Sequence, residues 1–165
     1  HLSLRRQRQM CIRDSIKTDH YDKILLMTGA SIAQKSEAEA EYMNKAMEFI
    51  ANHMKYKEGT RPLSHMKKYI EELKKKKGEP LEIDCDCSAS LLVALARTMG
   101  IPARVINAMG IKANGTCRGH SWTEAFYYGR DLEGGWQLGW QVWETTEDDL
   151  DYAYCNMHYL SLIHI

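Results

Sequence analysis

Three residues of this 165-residue chain are of the right types, in the right order, for nucleophilic chemistry on an acyl carbon. Cys85 stands in the segment DCDCSASLLVALARTMGIPARV, His120 in GHSWTEAFYYG, and Glu144 in GWQVWETTED. A thiol at a helix N-terminus meets unpaired backbone N–H groups and the positive end of the helix dipole, both of which favour a thiolate. An imidazole on a neighbouring strand can serve as its base, and a carboxylate can orient that imidazole.

These residues need a helix and two strands to carry them. The segment from Cys85 to Met99 reads as an apolar helix, with Leu91, Leu92, Leu95, Ala96 and Met99 packing inward. Gly100 and Pro102 supply its stop signal. Arg104 to Met109 reads as a strand, 110–119 as a polar loop, and two aromatic and β-branched strands end near Tyr128 and Glu144, with Gly134-Gly135 turning between them. Upstream, Tyr42, Met43, Ala46, Met47, Ile50 and Met54 make one helical stripe, and Ser36 with Glu39 fits a capping box. The methionines of that stripe read as core filler. Gly59 to Pro62 breaks the helix, and a second helix is predicted from Leu63 to Lys77, its four terminal lysines solvated at the negative end of the dipole. Residues 16–36 are polar and weakly patterned and read as a linker or the remnant of an upstream region. Helices followed by an antiparallel sheet make the class α+β.

The three segments together resemble the transglutaminase-like superfamily, over roughly residues 40–150. The matching pieces are the cysteine helix, Gly100-Ile101-Pro102-Ala103-Arg104, His120-Ser121-Trp122-Thr123-Glu124, and Gly139-Trp140 leading to Glu144. The resemblance implies a papain-like core with the cysteine helix packed on the sheet, and a triad of Cys85, His120 and Glu144. Glu144-Thr145 replaces the superfamily's Asp-Pro. The added methylene moves the carboxylate by about 1.5 Å.

Cys87 competes with Cys85 for the nucleophile's place. In the superfamily's pattern the nucleophile precedes the Gly of Gly-Ile-Pro by about fifteen residues, and Cys85 stands at that distance from Gly100. Cys87 is rotated by about 200° on a helix and is expected to pack elsewhere. Asp84 and Asp86 would oppose a thiolate, so activation must come from His120 and the helix end. The oxyanion hole would use the backbone N–H of Cys85 and one upstream donor, for which Tyr56 is a candidate. Cys85, Cys87, Cys117 and Cys155 lack the paired spacing of a structural zinc site, and no metal or other cofactor is expected. A Cys85–Cys87 redox pair is the lesser reading of that doublet. A Cys117–Cys155 disulfide remains open and depends on export. The acidic run from Glu147 to Asp151 reads as solvated charge, though some animal members of the superfamily hold calcium.

The two ends of the chain read as translated adapter. MCIRDS, residues 10–15, can be encoded ATG TGT ATA AGA GAC AGN, and LSLIHI, residues 160–165, can be encoded CTG TCT CTT ATA CAC ATC. These strings are reverse complements over their shared length and match the end of a transposase-based sequencing adapter. Residues 5–9 continue that adapter upstream. The expected organisation is therefore adapter over 1–15 and 160–165, a linker or truncated upstream region over 16–36, and one transglutaminase-like domain over 37–159.

Charge counts change accordingly. The whole chain has 22 basic and 22 acidic residues; setting aside Arg5, Arg6, Arg8, Arg13 and Asp14 leaves 18 and 21, a net of −3. The basic arm is then no sign of nucleic-acid binding, and no other basic patch lies among aromatics. No apolar run reaches the ~18 residues a membrane span needs. The sequence leaves the compartment open, an exported or cell-envelope setting included, and the parent is expected to be a larger multidomain chain.

Two functions follow. The first is an enzyme in which Cys85 attacks a peptide or protein amide, His120 moves the proton and Glu144 orients His120. Bacterial relatives of this fold are often peptidase-like, so hydrolysis is favoured over amine transfer. The second is an inactive transglutaminase-like module that binds or supports other domains, a reading kept alive by the Glu-Thr-Thr departure.

Overall fold

The computed structural model describes residues 22–60, 66–76, 79–111, 117–130, 136–145 and 153–154. The adapter-like ends, Gly134-Gly135 and the acidic run lie outside them. Among the described residues the order is α1 (Lys23–Ala33), α2 (Glu39–His53), β1 (Met54–Tyr56), α3 (Met66–Lys75), β2 (Leu81–Ile83), α4 (Cys85–Thr98), β3 (Ala103–Ile111), β4 (Cys117–Arg130), β5 (Trp136–Trp143) and β6 (Ala153–Tyr154). Strands β5-β4-β3-β6 form an antiparallel sheet, and β1 pairs with β2 in parallel. The class is α+β, as the element order predicts.

Helix α4 is the centre of the fold. Residues 87–97 are all buried, because β3 and β4 cover one side of the helix while α1, α2 and α3 cover the other. A helix that is apolar nearly all round must be enclosed in this way. Its C-terminus closes as the stop signal predicts. Gly100 has φ +74°, Ile101 N–H bonds Ala96 O at 3.1 Å, and Gly100 N–H bonds Arg97 O at 3.0 Å. This is the Schellman pattern, in which glycine takes the left-handed conformation without a Cβ clash. The buried Arg97 then ties the chain back, its Nε and Nη2 donating to Ala103 O at 3.0 and 2.7 Å.

Two N-terminal expectations are corrected. Residues 23–33 are a helix and not a linker: α1 is capped by Asp22, whose Oδ1 accepts from Ile24 N at 2.9 Å, and it buries Leu25, Gly29 and Ile32. Gly29 in mid-helix weakens the apparent pattern. Its role is packing, since a Cβ there would lie 2.0 Å from Thr98 Oγ1 on α4. The Ser36–Glu39 capping box does not form, as α2 begins after Ala38 with no side-chain cap. Ser36 Oγ instead donates to Ile32 O at 3.1 Å, finishing α1, and Glu41 Oε2 takes the N–H of Glu37 at 2.7 Å. Carbonyls at the end of one helix compete for the hydroxyl that could start the next.

Of the predicted stripe, Tyr42, Met43, Ala46 and Ile50 are buried on α2, Met47 is half-buried, and Met54 falls in β1 after the helix has ended; Tyr42 Oη donates to Leu95 O at 2.8 Å. Helix α3 buries Met66, Tyr69 and Ile70 and leaves Lys74 to Lys76 exposed. Strand β3 runs on to Ile111 and β4 starts at Cys117, so the sheet takes part of the predicted polar loop. The short β1–β2 pair could not be read from the sequence, because three-residue strands carry no usable period.

Candidate active site

Strand β2 runs straight into α4, so that Asp84 is the N-cap and Cys85 the first helical residue. The Asp84 side chain accepts from Cys87 N at 3.0 Å, the usual work of an aspartate at this position. Its neighbour Asp86 is engaged too. The hydroxyl of the buried Ser121 donates to the Asp86 carboxylate and lies 2.6 Å from the side-chain oxygen of Asn107. Both acids flanking Cys85 therefore have structural partners.

The sheet brings up the other two residues. Ala108 on β3 pairs with His120 on β4, and Thr123 on β4 pairs with Trp143 at the end of β5. Glu144 thus leaves β5 abreast of the β4 segment that carries His120. Thr123 Oγ1 donates to Ala89 O at 3.0 Å and locks this stretch of β4 to α4.

All three sequence-predicted residues meet. Glu144 Oε2 lies 2.6 Å from His120 Nε2, with the two side chains 14% and 4% exposed. The Cys85 side chain hydrogen-bonds the same ring, and Trp122 flanks it with ring centroids 6.3 Å apart. With Nε2 taken by the carboxylate, Nδ1 is the nitrogen left for the sulfur. The contacts with Cys85 and then Glu144 push the imidazole up from 6.5 to about 9, against the opposing effect of burial.

The two thiols differ sharply. Both are free, but Cys85 is half-buried and Cys87 is buried. Burial, and then the hydrogen bond to Asp84, pushes the Cys87 thiol up to about 12. Cys87 also contacts Tyr69 of α3, on the helical side of α4. It packs elsewhere, as the rotation argument expects. Tyr56 lies in register with Ile83, one residue before the N-cap.

Several supporting residues escaped sequence reasoning. Arg104 stands opposite Glu124, its Nε and Nη2 at 2.8 and 2.6 Å from Glu124 Oε2, with the guanidinium carbon 4.1 Å from the centroid of Trp140. This contact joins the last residue of Gly-Ile-Pro-Ala-Arg to the last of His-Ser-Trp-Thr-Glu. A signal was available, since a charged residue amid strand apolars needs a partner. Ser88 and Thr145 also gave no functional sign, yet they bond each other at 2.7 Å.

The model of the transglutaminase-like superfamily matches residues 27–142. The chain belongs to the transglutaminase-like superfamily. The match begins inside α1. No curated protein sequence matches. Among solved structures, the chain is similar to the periplasmic domain of TgpA from Pseudomonas aeruginosa, with a TM-score of 0.59 and 14% identity over 85% of this chain and 46% of that one. It is also similar to a protein from Cytophaga hutchinsonii described as a candidate cysteine protease, with a TM-score of 0.54 and 20% identity over 74% of this chain and 36% of that one. At these identities the likeness is one of fold. The chain spans less than half the length of either structure. Among the described residues, no helix of this superfamily member is long and apolar enough to cross a membrane.

Proposed function

We propose that the chain carries out cysteine-nucleophile acyl transfer on peptide or protein amide bonds, with hydrolysis as the favoured outcome. One observation carries the reading: the imidazole of His120 is held at 2.6 Å by Glu144 while the Cys85 side chain bonds the same ring. Cys85 Sγ attacks the amide carbonyl, and the C–N bond breaks as His120 gives a proton to the leaving amine. A thioester remains. Water then attacks it, passes a proton to His120, and releases the acid and the free thiol; a primary amine in place of water yields a new amide. The imidazolium, raised to about 9, supports negative charge on the attacking sulfur, and Glu144 supports the imidazolium. As the first helical residue, Cys85 presents a backbone N–H with no carbonyl one turn back in the helix, suited to an oxyanion. Tyr56 is the proposed second donor. The parent is proposed to be a larger multidomain protein, which the partial coverage of both neighbours supports.

The test is trapping of the intermediate. Incubation with a peptide p-nitroanilide, followed by quenching in acid and peptide mapping, should give a thioester adduct on Cys85 and none in Cys85→Ala. Turnover should fall by about 10³-fold or more in that variant. Unchanged turnover in Cys85→Ala would remove the nucleophile and the reading with it.

A further inference from the structure

Glu144 has one more rotatable bond than the aspartate of the superfamily's Asp-Pro pattern, so it needs more restraint to hold a single pose. The neighbouring residue supplies it. Thr145 N–H donates to Glu144 Oε1 at 2.8 Å, leaving Oε2 for His120. Thr145 Oγ1 donates to Ser88 Oγ at 2.7 Å, and Ser88 Oγ donates to the carbonyl of Cys85 at 3.1 Å. Each hydroxyl proton is used once. Ser88 is 1% exposed within a helix that is otherwise largely apolar. A proline at 145 could make neither contact, having no N–H and no hydroxyl.

We propose that Ser88 and Thr145 are positioning residues: they close Cys85, His120 and Glu144 into a ring of hydrogen bonds and hold this chain's longer acid against the imidazole. The inference rests on the acyl-transfer reading above. The ring runs from the Cys85 side chain through His120, Glu144, Thr145 and Ser88 back to the Cys85 carbonyl. It ties the first turn of α4 to the end of β5, so the sulfur and the acid keep one spacing. Glutamate at 144 and threonine at 145 are then a matched pair, the second residue holding the extra length of the first.

The experiment compares Thr145→Val, Thr145→Ser and Ser88→Ala with the parent chain, using amide turnover and an NMR titration of the His120 ring. Valine keeps the shape and the N–H and loses only the hydroxyl. Thr145→Val and Ser88→Ala should lower kcat by about five- to ten-fold, the scale of one hydrogen bond, with KM unchanged. Thr145→Ser should recover most of the loss. The His120 titration should move down from about 9 toward 6.5 in the first two variants and stay high in the serine variant. Parental kcat and titration in Thr145→Val, with Cys85→Ala inactive, would overturn the positioning role and leave the acyl-transfer reading standing. A parent chain without turnover would overturn that reading, and the titration would still decide whether Thr145 and Ser88 hold the acid.

Discussion

At its C-terminal end α4 is held by packing and by hydrogen bonds to backbone carbonyls, from Tyr42 to Leu95 and from Arg97 to Ala103. Leu95 and Ala96 are fully buried, Thr98 lies against Gly29 of α1, Tyr42 reaches the Leu95 carbonyl, and Gly100 turns the chain out. At the N-terminal end of the same 14-residue helix nearly every contact is polar: Asp84 caps, Asp86 meets Ser121, Ser88 meets Thr145, and the Cys85 side chain meets His120. The difference teaches how one helix both anchors a core and presents a thiol to the sheet. Tight packing at the far end leaves the helix no freedom to slide. The near end can then carry groups that need a defined position more than burial. The contrast recurs within a single turn, where Cys85 faces the sheet's histidine and Cys87 faces the helical layer.

The comparison is broken most severely at the acid. Glu144→Gln should preserve the fold, by circular dichroism, and lower amide turnover by about 10²-fold or more, because an amide orients the ring without supporting its charge. His120 is raised from 6.5 to about 9 in the folded chain. A raised folded-state value adds stability that is fully present below the unfolded value and lost as pH rises through the folded one. The parent's advantage in Tm over Glu144→Gln should therefore be greatest below pH 6.5 and gone above about pH 9. Parental turnover in Glu144→Gln would reduce the site to a Cys85–His120 pair.

The two thiols offer a sharper and smaller contrast. Cys87 is buried and raised to about 12, whereas Cys85 is half-buried beside His120. Iodoacetamide at pH 6 should label Cys85 at least about ten-fold faster than Cys87, read by peptide mapping. Equal labelling would mean that the first turn of α4 opens readily, and faster labelling of Cys87 would reverse the assignment of the nucleophile.

The smallest effect is expected at the far end. Gly29→Ala gains about 1 kcal/mol of helix propensity but drives a methyl group into Thr98, an overpacking cost of about 1–3 kcal/mol. The net should be a modest loss of stability, about 1 kcal/mol in a denaturant melt, with turnover per folded molecule unchanged. A fall in turnover beyond the loss of folded protein would show that the two ends are coupled through the helix.

Much of the site was legible because its parts are local. Cys85 opens an apolar helix, Gly100 marks a helix stop, and the strand segments around His120 and Glu144 advertise themselves by aromatic and β-branched content. The counting argument from Gly100 to Cys85 works because a helix has a fixed rise and turn, so sequence distance converts to position. The N-terminal region was harder to read. Helix α1 carries a glycine whose purpose is a crossing with α4 some 70 residues later, and no local pattern encodes a crossing. Ser36 satisfies the grammar for starting α2, and only the packed chain shows its hydroxyl finishing α1.

The sequence by itself determined the identity and order of Cys85, His120 and Glu144, the helix and strands that bear them, and the α+β class. Tertiary structure alone decided that Glu144 reaches His120 despite its extra length, that Asp84 and Asp86 are held by other partners, that Cys87 turns into the helical layer, and that Thr145 bonds Ser88 beside the acid. The physical reason is range. Helix stops, caps and strand alternation arise from contacts within a few residues, whereas the Glu144–His120 and Thr145–Ser88 bonds join positions 24 and 57 residues apart, which the packing of α4 on the sheet brings together.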